Sequence, residues 1–115
     1  MEIIIVKARI NSGTLERIAA EGFGDMVKGV VDVKRRIMAL GGELHADAEA
    51  VLLQDGSRQT DLWGFNIYIR KPKEERVEYS SLINIRPSTG SRFMEIKDMG
   101  LRAEIQKIID LLVEF

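Results

Sequence analysis

The sequence predicts an α+β domain. A small antiparallel sheet, made of an N-terminal strand and a hairpin in the C-terminal half, carries about four helices on one face. Three observations support this. β-branched residues crowd the start of the chain at Ile3, Ile4, Ile5 and Val6. Apolar and polar residues alternate from Trp63 to Arg70 and again from Val77 to Arg86. Near the end, Leu101, Ile105, Ile108, Ile109 and Leu112 recur at helical spacing. The 115 residues read as a single domain, 1–115, long enough to build a core without staples.

The elements follow in order. Residues 2–9 read as a strand. Asn11-Ser12-Gly13 reads as a turn, and Thr14 is placed to cap a short helix over 15–21, stopped by Gly22-Phe23-Gly24. Asp25 is placed to cap a longer helix over 26–40. Met26, Val27, Val30, Val31, Val33, Ile37, Met38 and Leu40 then share half of the wheel, opposite Lys28, Asp32, Arg35 and Arg36. Lys34 is the misfit, and a strand through Val27 to Val33 is the rival reading. Length and the Gly41-Gly42 stop favour the helix. Asp47 is placed to cap a short helix through about Gln54, with a strand as the alternative. The hairpin follows, joined by the charged loop Lys71 to Arg76. Its alternation buries Trp63, Phe65, Ile67, Ile69, Val77, Tyr79, Ile83 and Ile85, and leaves Asn66, Tyr68, Arg70, Ser80, Leu82, Asn84 and Arg86 on the other face. Pro87 ends it, and Asp98 caps the last helix.

Composition narrows the function classes. Seventeen basic against 18 acidic residues give a net charge of −1, which disfavours a dedicated nucleic-acid binder. No apolar run approaches the ~20 residues that span a bilayer, so no membrane partner is expected. The first residues lack the basic region and cleavage site of a secretory signal. With no cysteine in the chain, there are no disulfides, thiolate metal sites or cysteine nucleophiles, and the cytoplasm is the expected compartment. No cofactor motif stands out.

Two constellations carry the candidate chemistry. Glu43, His45, Asp47 and Glu49 alternate around the only histidine. His45 is suited to general acid–base work near neutral pH, with Asp47 or Glu43 to orient it. The competing reading is a histidine that bonds backbone at a helix start. A metal site is disfavoured, because imidazole sites generally use further histidines or thiolates. The second constellation is Asn84, Arg86, Ser88, Gly90, Ser91 and Arg92. Two guanidiniums beside a hydroxyl- and glycine-rich loop suit a phosphate or carboxylate. The alternative is an arginine that pairs with Glu43 or Asp47 and pins the loop. Asn66 and Tyr68 either line a pocket or face water.

Four blocks give the chain a resemblance: Phe23-Gly24-Asp25-Met26-Val27-Lys28, Gly41-Gly42-Glu43-Leu44-His45-Ala46-Asp47, Leu62-Trp63-Gly64 with Asn66-Ile67-Tyr68, and Ile83-Asn84-Ile85-Arg86-Pro87-Ser88. Together they resemble a family of small, single-domain prokaryotic proteins of unknown function. The pattern places asparagine before Arg92 and serine after it, where this chain has Ser91 and Phe93. The resemblance implies a stand-alone cytoplasmic domain and no particular substrate or cofactor.

The leading functional expectation is a site for an anionic small molecule. It would be formed by His45 and Asp47 with Asn84, Arg86, Ser88 and Arg92, and proton transfer would fall to His45 if there is a reaction. The rival is a non-catalytic interaction domain, self-associating as a homo-oligomer or bound to a protein partner. RNA binding through the basic residues is a third reading.

Overall fold

Continuous apolar runs in this chain form strands covered on both faces. In the computed structural model, which describes residues 1–115, β1 (Ile3–Val6), β2 (Met26–Asp32), β3 (Ile37–Gly41), β4 (Leu62–Tyr68) and β5 (Val77–Glu78) form one antiparallel sheet. Their order is β1-β3-β2-β4-β5. Three α-helices complete the fold: α1 (Ser12–Glu21), α2 (His45–Gln54) and α3 (Met99–Leu112).

The helix expected over 26–40 is instead the β2–β3 hairpin. Asp32 closes its turn, its Oδ1 accepting from the N–H groups of Lys34 and Arg35 at 2.9 Å each. Arg36 takes a left-handed φ of 58°. The wheel was misleading because both faces of this hairpin are buried. Val27, Val31, Met38 and Leu40 join one cluster, and Val30, Ile37 and Ala39 join the other. Alternation vanishes when a strand is buried on both sides, and the remaining apolar run also fits half a helix. Lys34, the misfit on the wheel, sits in the turn and is exposed.

The helices do not share one face. The larger cluster joins α1 and α3 to the sheet through Leu15, Ile18, Ile105, Ile108 and Ile109. The smaller one seats Ala48 and Leu52 of α2 on the opposite face. Trp63, Phe65 and Ile67 face α1 and α3 as expected. Ile83 packs on the α2 side and Ile85 is exposed, so the expected burial of these two on the first face does not hold.

The second hairpin strand is also shorter than its alternation suggests. Only Val77 and Glu78 pair with β4. The chain then crosses Gly64 and turns through Leu82–Asn84 as a 3-10 helix. A Cβ on Gly64 would lie 2.4 Å from Ser81 Cβ, so the crossing requires glycine. Asn84 replaces the lost ladder. Its Oδ1 accepts from Gly64 N–H, and its amide donates to the carbonyls of Gly64 and Met94.

Helix starts also differ in detail. Asn11, not Thr14, caps α1, accepting from Thr14 N–H. Asp98 caps α3 as expected. Asp47 lies within the first turn of α2 rather than capping it. The cap position is Leu44, which offers no side-chain bond.

Candidate functional site

The site builds up from the turn between β3 and α2. Gly41 takes φ 106°, and a Cβ there would lie 2.2 Å from the Glu2 carbonyl oxygen. The chain thus reverses tightly and starts α2 against the sheet. Because Leu44 cannot cap, the N–H groups of His45 and Ala46 have no protein acceptor. Such free groups carry the positive end of the helix dipole.

These residues open onto a cleft of about 330 Å³ with a polar floor and apolar walls. The floor follows from strand register. Lys28 pairs with Asn66 across β2 and β4, and Asn66 with Glu78 across β4 and β5. The three side chains form a row across the sheet, on the face that α2 covers. Leu44, Leu82, Ile83 and Met94 supply the walls. Lys28 makes no ion pair, and its Nζ sits 5.6 Å from the centroid of the Phe23 ring.

Asn66 is 8% exposed. Its Nδ2 donates to Glu78 Oε1 at 2.8 Å and toward the Ser80 carbonyl at 3.4 Å. Both partners are acceptors, which fixes the orientation of the amide. Its Oδ1 is therefore a true acceptor: it is buried, makes no close hydrogen bond, and lies beside the His45 ring, whose protonated form it favours. Native structures leave few such groups.

His45 is buried at the inner end of the cleft, with Nε2 2.8 Å from the Phe65 carbonyl oxygen. A carbonyl only accepts, so Nε2 carries a proton, and the neutral ring keeps its lone pair on Nδ1. Burial pulls the imidazole below its ordinary pKa of 6.5. The Phe65 carbonyl opposes that pull, the Lys28 charge adds to it, and Asn66 and Glu78 oppose it. The ring is neutral at pH 7. Glu43 and Asp47 are exposed and make no bond to it. Glu43, His45, Asp47 and Glu49 lie on a turn and a helix, where residues two apart do not face one another.

The second constellation lies apart from this cleft. Arg86 donates through Nη2 to the Leu62 carbonyl and through Nε to the Ile83 carbonyl, and it stacks 4.4 Å from the Trp63 ring centroid. Burial lowers its pKa, and the Glu49 charge partly offsets this. It pins the loop, as the alternative reading expected, but through carbonyls and Trp63 rather than Glu43 or Asp47. Asn84 is fully engaged with Gly64 and Met94. Ser88 is exposed in a 3-10 turn. Arg92 lines a different cleft, with Trp63, Phe93 and Lys97. Tyr68 donates its hydroxyl to Glu78 at 3.1 Å, beside the His45 cleft. Of the residues singled out in the sequence, His45 and Asn66 meet there. Lys28 and Glu78 were missed because their strand register was hidden by the helical reading of 26–40 and by the loop before β5.

A family model described as a protein of unknown function, DUF5674, matches residues 4–112. The chain belongs to that family. This agrees with the resemblance read from the four motif blocks, each of which contributes a residue to the cleft. No curated protein and no solved structure matches the chain. No helix is long and apolar enough to cross a membrane.

Proposed function

We propose that this protein binds a small molecule carrying a carboxylate or phosphate, in the cleft between the start of α2 and the Lys28–Asn66–Glu78 row. One observation carries the reading: His45 and Ala46, whose N–H groups have no protein acceptor, line the same cleft as Lys28, which makes no ion pair. A helix N-terminus with a cation beside it suits an anion. Apolar walls around a few placed polar groups are the usual make-up of a ligand site. In this reading Lys28 takes the role first given to Arg86 and Arg92. If turnover accompanies binding, His45 Nδ1 is the proton acceptor, oriented by the Phe65 carbonyl. We read the working compartment as the cytoplasm, on the absence of cysteine.

A thermal-shift series with carboxylates and phosphate esters tests this on the wild type and on Lys28→Met. A ligand at ~100 times its Kd stabilises by about 2.7 kcal/mol. Stabilisation of the wild type alone supports the site, and equal shifts in both proteins refute the role of Lys28.

The rival reading, a protein-interaction domain, draws on Leu44 and Leu82, which are 57% and 71% exposed at the mouth of the cleft. Exposed leucines flanking a groove suit a partner's apolar side chain. Concentration-dependent sedimentation distinguishes self-association from a monomer.

A further inference from the structure

Lys28 and Glu78 are the two charged residues that line the cleft. They stand at opposite ends of the row, one on each side of Asn66. Their charges cancel, so a purely anionic ligand that gains at Lys28 loses at Glu78. We infer that the ligand is a zwitterion, an α-amino acid with an apolar side chain. Its carboxylate is held by Lys28 and the start of α2, and its ammonium by Glu78. This rests on the anion site proposed above and adds a second pole to it.

The spacing fits. Two strand separations put the Cα atoms of Lys28 and Glu78 about 10 Å apart. The side chains of Lys28 and Glu78 rise from the two ends of that row, and charge-assisted hydrogen bonds of about 2.8 Å from each suit a ligand whose two charges are borne on one carbon. Glu78 is exposed, and its Oε1 already accepts from Asn66 and Tyr68. Those two bonds hold the carboxylate in place and leave Oε2 for the ligand. An ammonium has three donors, so after engaging Glu78 it has others to offer. Asn66, tied to Glu78 by its Nδ2 at 2.8 Å, keeps the floor between the two charges polar. Leu44, Leu82, Ile83 and Met94 surround the remaining space with hydrocarbon and a thioether, a match for a branched aliphatic or thioether side chain and a poor one for a charged side chain.

Calorimetric titration of the full chain with three related molecules tests the second pole. These are L-leucine, 4-methylpentanoate, which lacks the amine, and 3-methylbutylamine, which lacks the carboxylate. Leucine is expected to bind at least about tenfold more tightly than either, since each loses a charge-assisted bond. Glu78→Gln is expected to weaken leucine by about tenfold and to leave 4-methylpentanoate as tight or tighter. Equal affinity of the wild type for leucine and 4-methylpentanoate overturns the zwitterion and leaves the anion site standing. So does a response to acetate or inorganic phosphate at the Ala46 amide with no binding of leucine. Silence toward every one of these probes overturns both. The wild-type comparison needs no variant, so it decides the matter even if Glu78→Gln folds poorly.

Discussion

The side chain of Asn84 pairs with both backbone groups of Gly64, accepting from its N–H at 2.8 Å and donating to its carbonyl at 3.1 Å. A side-chain amide thus does what a neighbouring strand would do for β4. It also ties the turn after β5 to the sheet, which seats Ile83 and Leu82 beside the cleft. Asn84→Ala leaves both Gly64 groups and the Met94 carbonyl without these partners in a buried place. The expected loss is about 2–4 kcal/mol, read as a lower urea midpoint with unchanged slope.

Gly41 and Gly56 share a φ of 106°, but their surroundings differ. A Cβ on Gly41 strikes the Glu2 carbonyl at 2.2 Å, and one on Gly56 meets nothing within 4 Å. Gly56→Ala therefore measures strain alone, about 1–2 kcal/mol. Gly41→Ala adds a backbone collision and is expected to cost at least about 2 kcal/mol more. Equal costs in thermal melts would mean that the turn into α2 relaxes freely.

Arg86 anchors the 86–91 loop through the Leu62 and Ile83 carbonyls and through Trp63. Arg86→Ala is expected to lower stability by about 1–3 kcal/mol and to leave the affinity for carboxylates unchanged. A stable variant that has lost binding would return the anion site to the arginines.

His45 makes stability depend on pH in a set direction. Its pKa is lower in the folded chain than the ordinary 6.5, with burial as the main cause. Below 6.5 the unfolded chain therefore takes up a proton that the folded chain resists. The stabilising contribution is full above pH 6.5. It falls as the pH drops toward the folded-state value and is flat below that. Lys28 and Glu78 face the ring and modulate it in opposite senses. Urea melts from pH 7.5 to 5 are expected to show a loss in the wild type that His45→Gln lacks.

The strand class of residues 3–6, the helix over 99–112 and the face of Trp63, Phe65 and Ile67 were all legible in the sequence. The helix has a cap at its start, β1 a run of β-branched residues, and β4 an alternation of large apolar residues with small or polar ones. The β2–β3 hairpin was not, because α2 covers the face of Val30 and Ala39 while α1 and α3 cover that of Val31 and Met38. No periodicity survives burial on both sides, although the run of valines favours strand. His45 was legible as the only histidine, and Asn66 as a polar residue on an alternating strand. Lys28 was not, since its meeting with Asn66 depends on register between strands 38 residues apart in the chain. Arg86 looked like an anion ligand because the carbonyls it bonds leave no mark in the sequence.

The central claim, that the start of α2 and Lys28 together hold an anion, is tested most directly by two-dimensional ¹⁵N NMR. The wild type and Lys28→Met are each titrated with acetate and with inorganic phosphate. Saturable shifts of the His45 and Ala46 amides in the wild type, strongly weakened in the variant, are the expected result. Shifts confined to Gly90 through Lys97 around the Trp63 cleft, or none at all, would contradict it.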